Sequence, residues 1–191
     1  MEIEFSKLKD FRPRISLRPL RFTDAVDIHK NVKNRSIVRY TVHIPHPYRL
    51  SDARAFIKNS IKAKKDKTAY VFGIVLKQTK KIIGVVSLSK VDKKNKNCEL
   101  GYWLGKKYWN QGIMTLAAKM ALEYAFNKLN MHRVYARTFA SNSGSLRVLE
   151  KNNFMLEGIN YEIYWRNNYW HNLFSYGLLK DDYNKKLNID R

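Results

Sequence analysis

The sequence predicts a mixed α/β fold in which helices flank a twisted, mostly antiparallel sheet. Two observations support this prediction. Short runs rich in β-branched and aromatic residues recur along the chain, with turn-forming residues between them. A helical segment at residues 112–129 is apolar except for Thr115, Lys119, Glu123 and Asn127, which recur at every fourth position. A polar stripe this narrow means that the helix is mostly buried and crosses over a sheet.

The first part of the chain predicts one strand and two helices. Ile15 to Pro19 is typical of a short strand. Thr23 and Asp24 then act as N-capping residues for a helix that runs to about Val32, and Ser51-Asp52 caps a second helix. The apolar residues expected on the inner side of this second helix are Ala55, Phe56 and Ile61.

A three-stranded antiparallel unit is expected next. Tyr70 to Leu76 and Ile82 to Val91 are rich in β-branched and aromatic residues, and the polar segment 77–81 between them indicates a hairpin. Asn97 to Leu104 continues the sheet as a third strand. The buried helix at 112–129 follows it directly.

The last third of the chain predicts a strand, a short helix and a closing pair of strands. Arg133 to Phe139 forms the strand, and Ser141-Asn142-Ser143 caps a helix that ends at Lys151. Asn153 can adopt the left-handed conformation that ends a helix. The closing strands are Phe154 to Glu162 and Leu173 to Leu179.

Length and composition predict a single domain. The chain has 191 residues, of which 45% are hydrophobic, enough for one well-packed core. No apolar run reaches the roughly 20 residues that span a bilayer, and Met1-Glu2-Ile3-Glu4 lacks the layout of a secretion signal. We therefore expect a soluble, cytoplasmic protein with no membrane partner. The one cysteine, Cys98, agrees with a reducing compartment and is expected to be a small core residue.

The charge is strongly basic, with 37 Lys and Arg residues against 16 Asp and Glu residues, a net charge of +21. A phosphate pocket needs only a few of these cations. The excess favours a polyanionic partner, with RNA or a ribonucleoprotein first and an acidic protein second. The alternative is a compositional habit in which the lysines only solvate the surface.

Residues 99–115 predict an anion site. They indicate a strand, a short loop rich in NH donors and a helix that begins at Gly112. The first NH groups of a helix have no partner within the helix, and the helix dipole places positive charge there, so main chain alone can bind a diphosphate. Glycine at the point of closest approach lets the phosphate reach the backbone.

Metal chemistry is not predicted. His43 and His46 are separated by Pro45, and no cysteine or carboxylate follows at a spacing typical of zinc ligands.

Several segments in order resemble one family, the GCN5-related N-acetyltransferases (GNAT), and most closely the ribosomal-protein N-terminal acetyltransferases of the RimJ/RimL type. The resemblance covers nearly the whole chain, with a core at about 14–183 of a single domain at 1–191. The segments that carry it are Leu17 to Leu20, Glu99 to Leu104, Tyr108 to Thr115, Asn142 to Phe154 and Tyr169 to Ser175. It implies the GNAT fold, in which the central strands splay apart and acetyl-coenzyme A lies in the cleft.

The resemblance also implies how the cofactor is bound. The pantetheine arm would bond to main chain near Trp103 and Leu104, and the diphosphate would lie on the NH groups of the loop. Asn142 would bond the amide arm, unless it is only a helix cap, and Lys151 or Arg147 would reach a phosphate. The implied cofactor-binding residues are Trp103, Leu104, Trp109, Asn110, Gln111, Gly112, Ile113, Met114, Asn142 and Lys151.

The implied chemistry is direct attack of an amine on the thioester. It needs a route for the amine proton, a donor for the oxyanion and an acid for the leaving thiolate. Glu99 is the preferred base, acting through water, although it can also be a structural carboxylate paired with a lysine. Ser145 is the candidate acid, with a capping hydroxyl as its alternative, and an NH near Leu104 would bind the oxyanion.

Two positions depart from the family pattern. Many members carry a tyrosine acid where this chain has Leu149, and many RimL-like enzymes carry a glutamate where this chain has Leu116. The leaving thiolate therefore depends on Ser145, water or no acid.

The expected acceptor is a protein N-terminus, ribosomal or other, bound by a monomer or homodimer. An α-amino group has a pKa of about 8 and lysine about 10.4, so lysine costs roughly 3 to 4 kcal/mol more to deprotonate at neutral pH. Polyamines and aminoglycosides are polycations that a basic chain repels, and only Glu157 and Glu162 lie near enough to attract them. The alternatives are acetylation of such a small molecule, or a GNAT-shaped protein that contacts RNA or the ribosome with little activity.

Overall fold

Seven strands form one sheet in the computed structural model, which describes residues 15–41, 44–166 and 168–189. The strands are β1 (Ile15–Pro19), β2 (Tyr70–Leu76), β3 (Lys81–Asp92), β4 (Asn97–Leu104), β5 (Arg133–Phe139), β6 (Met155–Arg166) and β7 (Tyr169–Leu179). Their order is β1-β2-β3-β4-β5-β7-β6, and only β4 and β5 run parallel. The predicted mixed, mostly antiparallel sheet is therefore confirmed.

The sheet opens in its middle. β4 and β5 pair only at Asn97 with Arg133, Cys98 with Val134, and Glu99 with Tyr135. Beyond Glu99 the two strands separate, whereas β3 continues to pair with β4 as far as Leu104. The splay implied by the family resemblance is present, and it leaves one edge of residues 100–104 without a neighbouring strand.

Helices cover both faces of the sheet. They are α1 (Ala25–Val32), α2 (Arg35–Val38), α3 (Leu50–Lys65), α4 (Ile113–Glu123), α5 (Ser143–Lys151) and α6 (Lys180–Ile189). Apolar residues of α1 and α3 pack in one buried cluster with Ile82 and Val85, while α4 packs in a second cluster with Ile83 and Val86. Because neighbouring residues of a strand point to opposite faces, the two clusters lie on opposite sides of the sheet.

The helix predicted over residues 112–129 is buried but not uniform. α4 ends at Glu123, and a π-helical turn continues from Tyr124 to Lys128. Cys98 is fully buried in the adjoining core, as predicted, and burial raises the pKa of its thiol to about 12. The thiol therefore stays protonated and acts as an apolar side chain.

α1 begins directly after Asp24, as predicted, but the Asp24 side chain does not cap it, and the predicted start of the second helix needs correction. A 3₁₀ turn at Phe22–Asp24 precedes α1, and Asp24 accepts the NH of Arg21 at 2.7 Å while its two oxygens bind Arg18. In α3, Asp52 likewise accepts the NH of Arg49 at 2.7 Å. The two aspartates close the first turn from its third position, so the turns begin earlier than expected.

The inner face predicted for α3 was also wrong. The buried residues are Ala53, Ile57 and Ser60, whereas Ala55 is exposed and Ile61 is 43% exposed. Residues three and four apart share a helix face, and the row that includes Ala53 is the one that meets the sheet. Phe56 is only half-buried.

Asp52→Ala is expected to lower the free energy of unfolding by about 1 kcal/mol, because the Arg49 NH loses its acceptor. Urea denaturation followed by circular dichroism measures the change. Lys58→Ala, at an exposed site in the middle of the same helix, is the control and should change stability by less than about 0.5 kcal/mol. Equal losses in the two variants would show that the capping contact contributes nothing.

The carboxy-terminal part is longer in strand than predicted. β6 and β7 extend past the expected ends, to Arg166 and back to Tyr169. The one-turn helix α2 and the final helix α6 were not predicted. Among the described residues, none of the helices is both long and apolar enough to cross a bilayer.

Candidate active site

A cavity of about 550 Å³ lies where β4 and β5 separate. Residues 100–104 of β4 and Ala136 to Thr138 of β5 form its walls, and the starts of α4 and α5 close its upper side. The residues after α2, Tyr40 and Thr41, complete the rim. This position, at the carboxyl ends of two parallel strands beside helix starts, suits an elongated anionic ligand.

The cavity brings together nearly all the residues predicted for the site. Those that line it are Trp103, Leu104, Trp109, Asn110, Gln111, Gly112, Ile113, Met114, Asn142, Ser145 and Lys151. Arg147, the alternative to Lys151, also lines it. Glu99 does not. Their contacts with a cofactor stay a prediction, but their grouping in one cleft is a property of the structure.

The loop before α4 has the geometry of an anion site. Asn110 has φ 60° and Gly112 has φ 72°, both left-handed, which turns successive NH groups toward one side. The first bond of α4 runs from the NH of Leu116 to the carbonyl of Gly112 at 3.1 Å. Within the described part of the chain, no NH from Asn110 to Thr115 has a protein acceptor. These NH groups are available to a ligand.

Trp109 fixes this loop to the end of β4. Its indole Nε1 donates to the carbonyl of Leu104 at 2.7 Å. The side chain thus holds the loop at a set distance from the opened strand edge. Because this bond uses the indole NH, a phosphate can bond to the main chain of the loop but not to the Trp109 side chain.

The opened edge of β4 offers main-chain groups to the cleft. Gly105 donates its NH to Ile83 on β3 at 2.9 Å. NH groups alternate between the two edges along a strand, so those of Leu104 and Tyr102 point away from β3 and toward the gap. A ligand arm lying along this edge can bond to them as a neighbouring strand would.

Asn142 is a helix cap, and it also lines the cleft. Its Oδ1 accepts the NH of Ser145 at 3.2 Å. The cap uses only the oxygen, so the side-chain NH₂ group keeps its two donors for a ligand. The two interpretations of this residue are therefore compatible.

Ser145 has a partner that the sequence did not predict. Its Oγ lies 2.9 Å from the hydroxyl of Tyr102, which belongs to β4. Burial raises the pKa of Tyr102 above its usual range, although the hydrogen bond to Ser145 opposes the shift. Both hydroxyls thus stay protonated at neutral pH. In the sequence, Tyr102 lies within the segment Glu99 to Leu104 that resembles the family. Its spacing of two residues from Leu100 and from Leu104 places the three side chains on one face of the strand, and this was the only sign that Tyr102 faces α5.

Glu99 is an ion-paired carboxylate beside the cleft. Its oxygens accept from Lys90 Nζ at 2.8 Å and from Arg137 Nε at 3.0 Å, and its side chain is 15% exposed. Burial alone would raise its pKa, but the hydrogen bonds and charges of Lys90 and Arg137 outweigh burial and lower it. The carboxylate is therefore ionised throughout the neutral range.

The cleft carries positive charge. Its charged lining residues are Arg137, Arg147 and Lys151, and among the described residues no Asp or Glu lines it. Glu157, one of the two acids considered for a cationic ligand, instead pairs with Arg133, and Glu162 is exposed on β6. Electrostatics in this cleft favour anionic over polycationic ligands.

The rim of the cleft is tied to the β6–β7 hairpin. Arg166, at the end of β6, donates from Nη1 to the carbonyl of Thr41 at 2.7 Å. Lys106 donates to the hydroxyl of Ser36 at 3.1 Å across the same region. Sequence reasoning missed α2 and therefore this rim. The described residues contain no group of three or more His, Cys, Asp or Glu side chains that could hold a metal ion, and His43 lies outside them.

Comparisons with known proteins agree on the kind of fold. The acetyltransferase (GNAT) domain family matches residues 14–155. A Bacillus subtilis protein named probable N-acetyltransferase YjcK is 33% identical over 149 residues, which are 76% of this chain and 82% of that protein.

Two solved structures share the architecture. Ribosomal-protein-S5-alanine acetyltransferase from Vibrio fischeri superposes with a TM-score of 0.82 at 24% identity, over 96% of this chain and 98% of that one. Spermidine N-acetyltransferase from Vibrio cholerae, solved with CoA and spermine, has a TM-score of 0.77 at 24% identity, over 88% and 97% of the two chains.

Proposed function

Because the chain belongs to the GNAT acetyltransferase family, whose enzymes take the acetyl group from acetyl-CoA, we propose that its acceptor is the N-terminal α-amino group of a protein, ribosomal or other. The observation that supports this choice is the charge of the cleft. Three cations and no described carboxylate line it.

A polyamine acceptor fits this cleft poorly. Spermidine and spermine carry several positive charges, and among the described residues no carboxylate lines the cleft to pair with them. A protein N-terminus brings one amine with a pKa of about 8, so about a tenth of it is already neutral at pH 7. That amine can enter without strong acidic partners.

The donor is bound mainly by main chain in this proposal. The NH groups from Asn110 to Met114 bind the diphosphate, and Lys151 and Arg147 neutralise its remaining charge. The pantetheine arm lies along the open edge of β4, beside the amide of Asn142. The NH of Leu104 then faces the thioester oxygen and stabilises the charge that develops there.

Each proton has a route in the same proposal. The neutral amine attacks the thioester carbonyl carbon, the C–N bond forms, and the C–S bond breaks. Ser145 donates its hydroxyl proton to the departing sulfur and is reprotonated by Tyr102, 2.9 Å away. Glu99 accepts the proton released by the amine, through water, because its carboxylate lies outside the cleft lining. Glu99 then releases this proton to solvent, and solvent returns a proton to Tyr102.

Glu99→Gln is expected to lower kcat about tenfold and to move the pH optimum upward. The lowered pKa of Glu99 keeps it ionised at neutral pH, so it can accept protons there. Without it, the rate depends on the acceptor amine losing its proton to solvent, which requires a pH near 8 or above. The measurement is kcat and kcat/KM from pH 6 to 9.5.

Glu157→Gln is the matched control, because Glu157 is also a carboxylate paired with an arginine, Arg133. Its pH profile should follow that of the unmodified enzyme. An unchanged pH profile in Glu99→Gln would show that Glu99 only pairs with Lys90 and Arg137 and takes no part in proton transfer.

The acceptor is tested by incubating the protein with acetyl-CoA and four amine classes: peptides with ribosomal N-termini, N-terminally blocked peptides with lysine, polyamines, and aminoglycosides. Mass spectrometry identifies and locates the added acetyl group. Modification at peptide N-termini is expected. Modification confined to a polyamine or an aminoglycoside would overturn the proposed acceptor, and no product from any class would favour a binding protein of low activity.

A further inference from the structure

A second cavity, of about 400 Å³, lies at the end of the sheet where β4 and β5 begin. Three lysines line it, Lys94, Lys96 and Lys180, together with the polar side chains of Asn95, Asn130 and His132. No Asp or Glu lines it among the described residues. The cavity is therefore a concave, positively charged site with additional neutral donors.

The turn that carries two of these lysines is braced. Asp92 accepts the main-chain NH of Asn95 at 2.8 Å and its side-chain NH₂ at 2.7 Å. The carboxylate is thereby directed into the turn. The carbonyl of Lys96 also accepts the NH of His132 at 2.7 Å, which joins the turn to the start of β5. The lysine backbone is held in place before any ligand arrives.

The other wall of the cavity is also fixed. Lys180 donates from Nζ to Asn130 Oδ1 at 2.8 Å, and its main-chain NH bonds to the carbonyl of His132 at 2.9 Å. An ammonium has three donors, so two remain for a ligand. Neither Lys94 nor Lys96 forms an ion pair with a described carboxylate. No carboxylate in the part of the chain that the structure describes neutralises this positive charge.

This cavity is remote from the cofactor cleft. The cleft lies at the carboxyl ends of β4 and β5, and the second cavity lies at their amino ends. β4 has 8 residues, which at about 3.3 Å each is roughly 26 Å. A phosphate group bound in the second cavity therefore lies well away from the cleft.

We propose that this lysine cavity binds the phosphodiester backbone of RNA. Lysine ammonium groups and amide NH₂ groups are phosphate donors, and interfaces with nucleic acid are polar and strongly positive. Protein interfaces instead use exposed aromatic, Met or Arg anchors, and Met131, the one apolar residue among the described residues that line the cavity, is buried. The lining thus favours RNA over an acidic protein. The site extends the proposed function, because it would hold the enzyme near a ribonucleoprotein while the cleft stays accessible.

The test is fluorescence anisotropy with a labelled 16-base-pair RNA duplex between 50 and 200 mM salt. Lys94→Gln with Lys96→Asn removes two charges, and asparagine tolerates the φ of 50° at position 96. The dissociation constant is expected to rise about tenfold. The slope of log affinity against log salt is negative, and its magnitude should fall by about 1.8, or about 0.9 for each lost phosphate contact.

The matched control is Lys81→Gln with Lys80→Asn. It removes the same charge, again with one residue at positive φ (58° at Lys80), in the turn at the opposite end of β3. Its dissociation constant should change less than twofold. An equal loss in both pairs would show that the whole surface and not this cavity binds RNA.

Three further results decide the proposal. Both variants should titrate acetyl-CoA as the unmodified protein does, which shows that they are folded. Absence of salt-dependent RNA binding by the unmodified protein would overturn the proposal, whatever the outcome of the acetylation assays. Tighter binding to a polyglutamate peptide than to RNA, with the same sensitivity to Lys94 and Lys96, would identify an acidic protein as the partner instead.

Discussion

Gly112→Glu is expected to raise the dissociation constant of acetyl-CoA at least a hundredfold while the protein stays folded. A Cβ at position 112 meets no atom within 4 Å, so the protein accommodates a side chain there. That open space is where the diphosphate would approach the unpaired NH groups of the loop. Two unit charges 4 Å apart near a protein surface interact by about 4 kcal/mol, enough for a loss of this size.

The backbone cost and the charge effect can be separated. Position 112 has φ 72°, where a residue with a side chain costs about 1 to 2 kcal/mol. Gly112→Asn imposes a similar or smaller backbone cost without a charge, so it should bind acetyl-CoA within about tenfold of the unmodified protein. Isothermal titration measures binding and thermal unfolding measures the fold. An unchanged titration in Gly112→Glu would show that the diphosphate lies elsewhere.

Tyr102→Phe is expected to lower kcat about a hundredfold with little change in acetyl-CoA affinity. The variant keeps the ring but removes the hydroxyl that lies 2.9 Å from Ser145 Oγ. A positioned acid commonly contributes a factor of 10² to 10⁴. Single-turnover kinetics at saturating donor measure the chemical step.

A double-mutant cycle tests whether the two hydroxyls act together. Ser145→Ala alone should lower kcat about as much as Tyr102→Phe, and the double variant should be no slower than either. Tyr108→Phe, at another tyrosine that lines the cleft, is the control and should keep kcat within twofold. If the reductions in kcat of the two single variants multiplied in the double variant, or if Tyr102→Phe had a normal kcat, a shared proton route would be contradicted.

Local signals in the sequence predicted much of the fold and the binding loop. Gly112 and Asn153 have left-handed backbones, which glycine and asparagine adopt at lower cost than most residues. Asn142 caps α5, as its side chain indicates. Strands such as β5 follow from β-branched and aromatic content, and their predicted bounds agree with the structure. These features depend on interactions between residues close in sequence.

The features that were missed depend on tertiary contacts. Tyr102 meets Ser145 across 43 positions, and Glu99 meets Arg137 across 38. No local pattern encodes either pair. α2 has only 4 residues, too few for a periodicity to show. The inner face of α3 was assigned wrongly because its apolar residues do not form one stripe, and only the sheet beneath it selects the buried row.

The separation of β4 from β5 places an edge in the interior of the sheet. Most sheets keep their unpaired backbone at the margins, where water solvates it. Here residues 100–104 combine a central position with unused hydrogen-bonding capacity, so a pantetheine arm can take the place of the missing neighbour and complete the ladder. Binding of the donor and the free energy of unfolding are then thermodynamically linked, because the protein with its donor bound has the more continuous sheet.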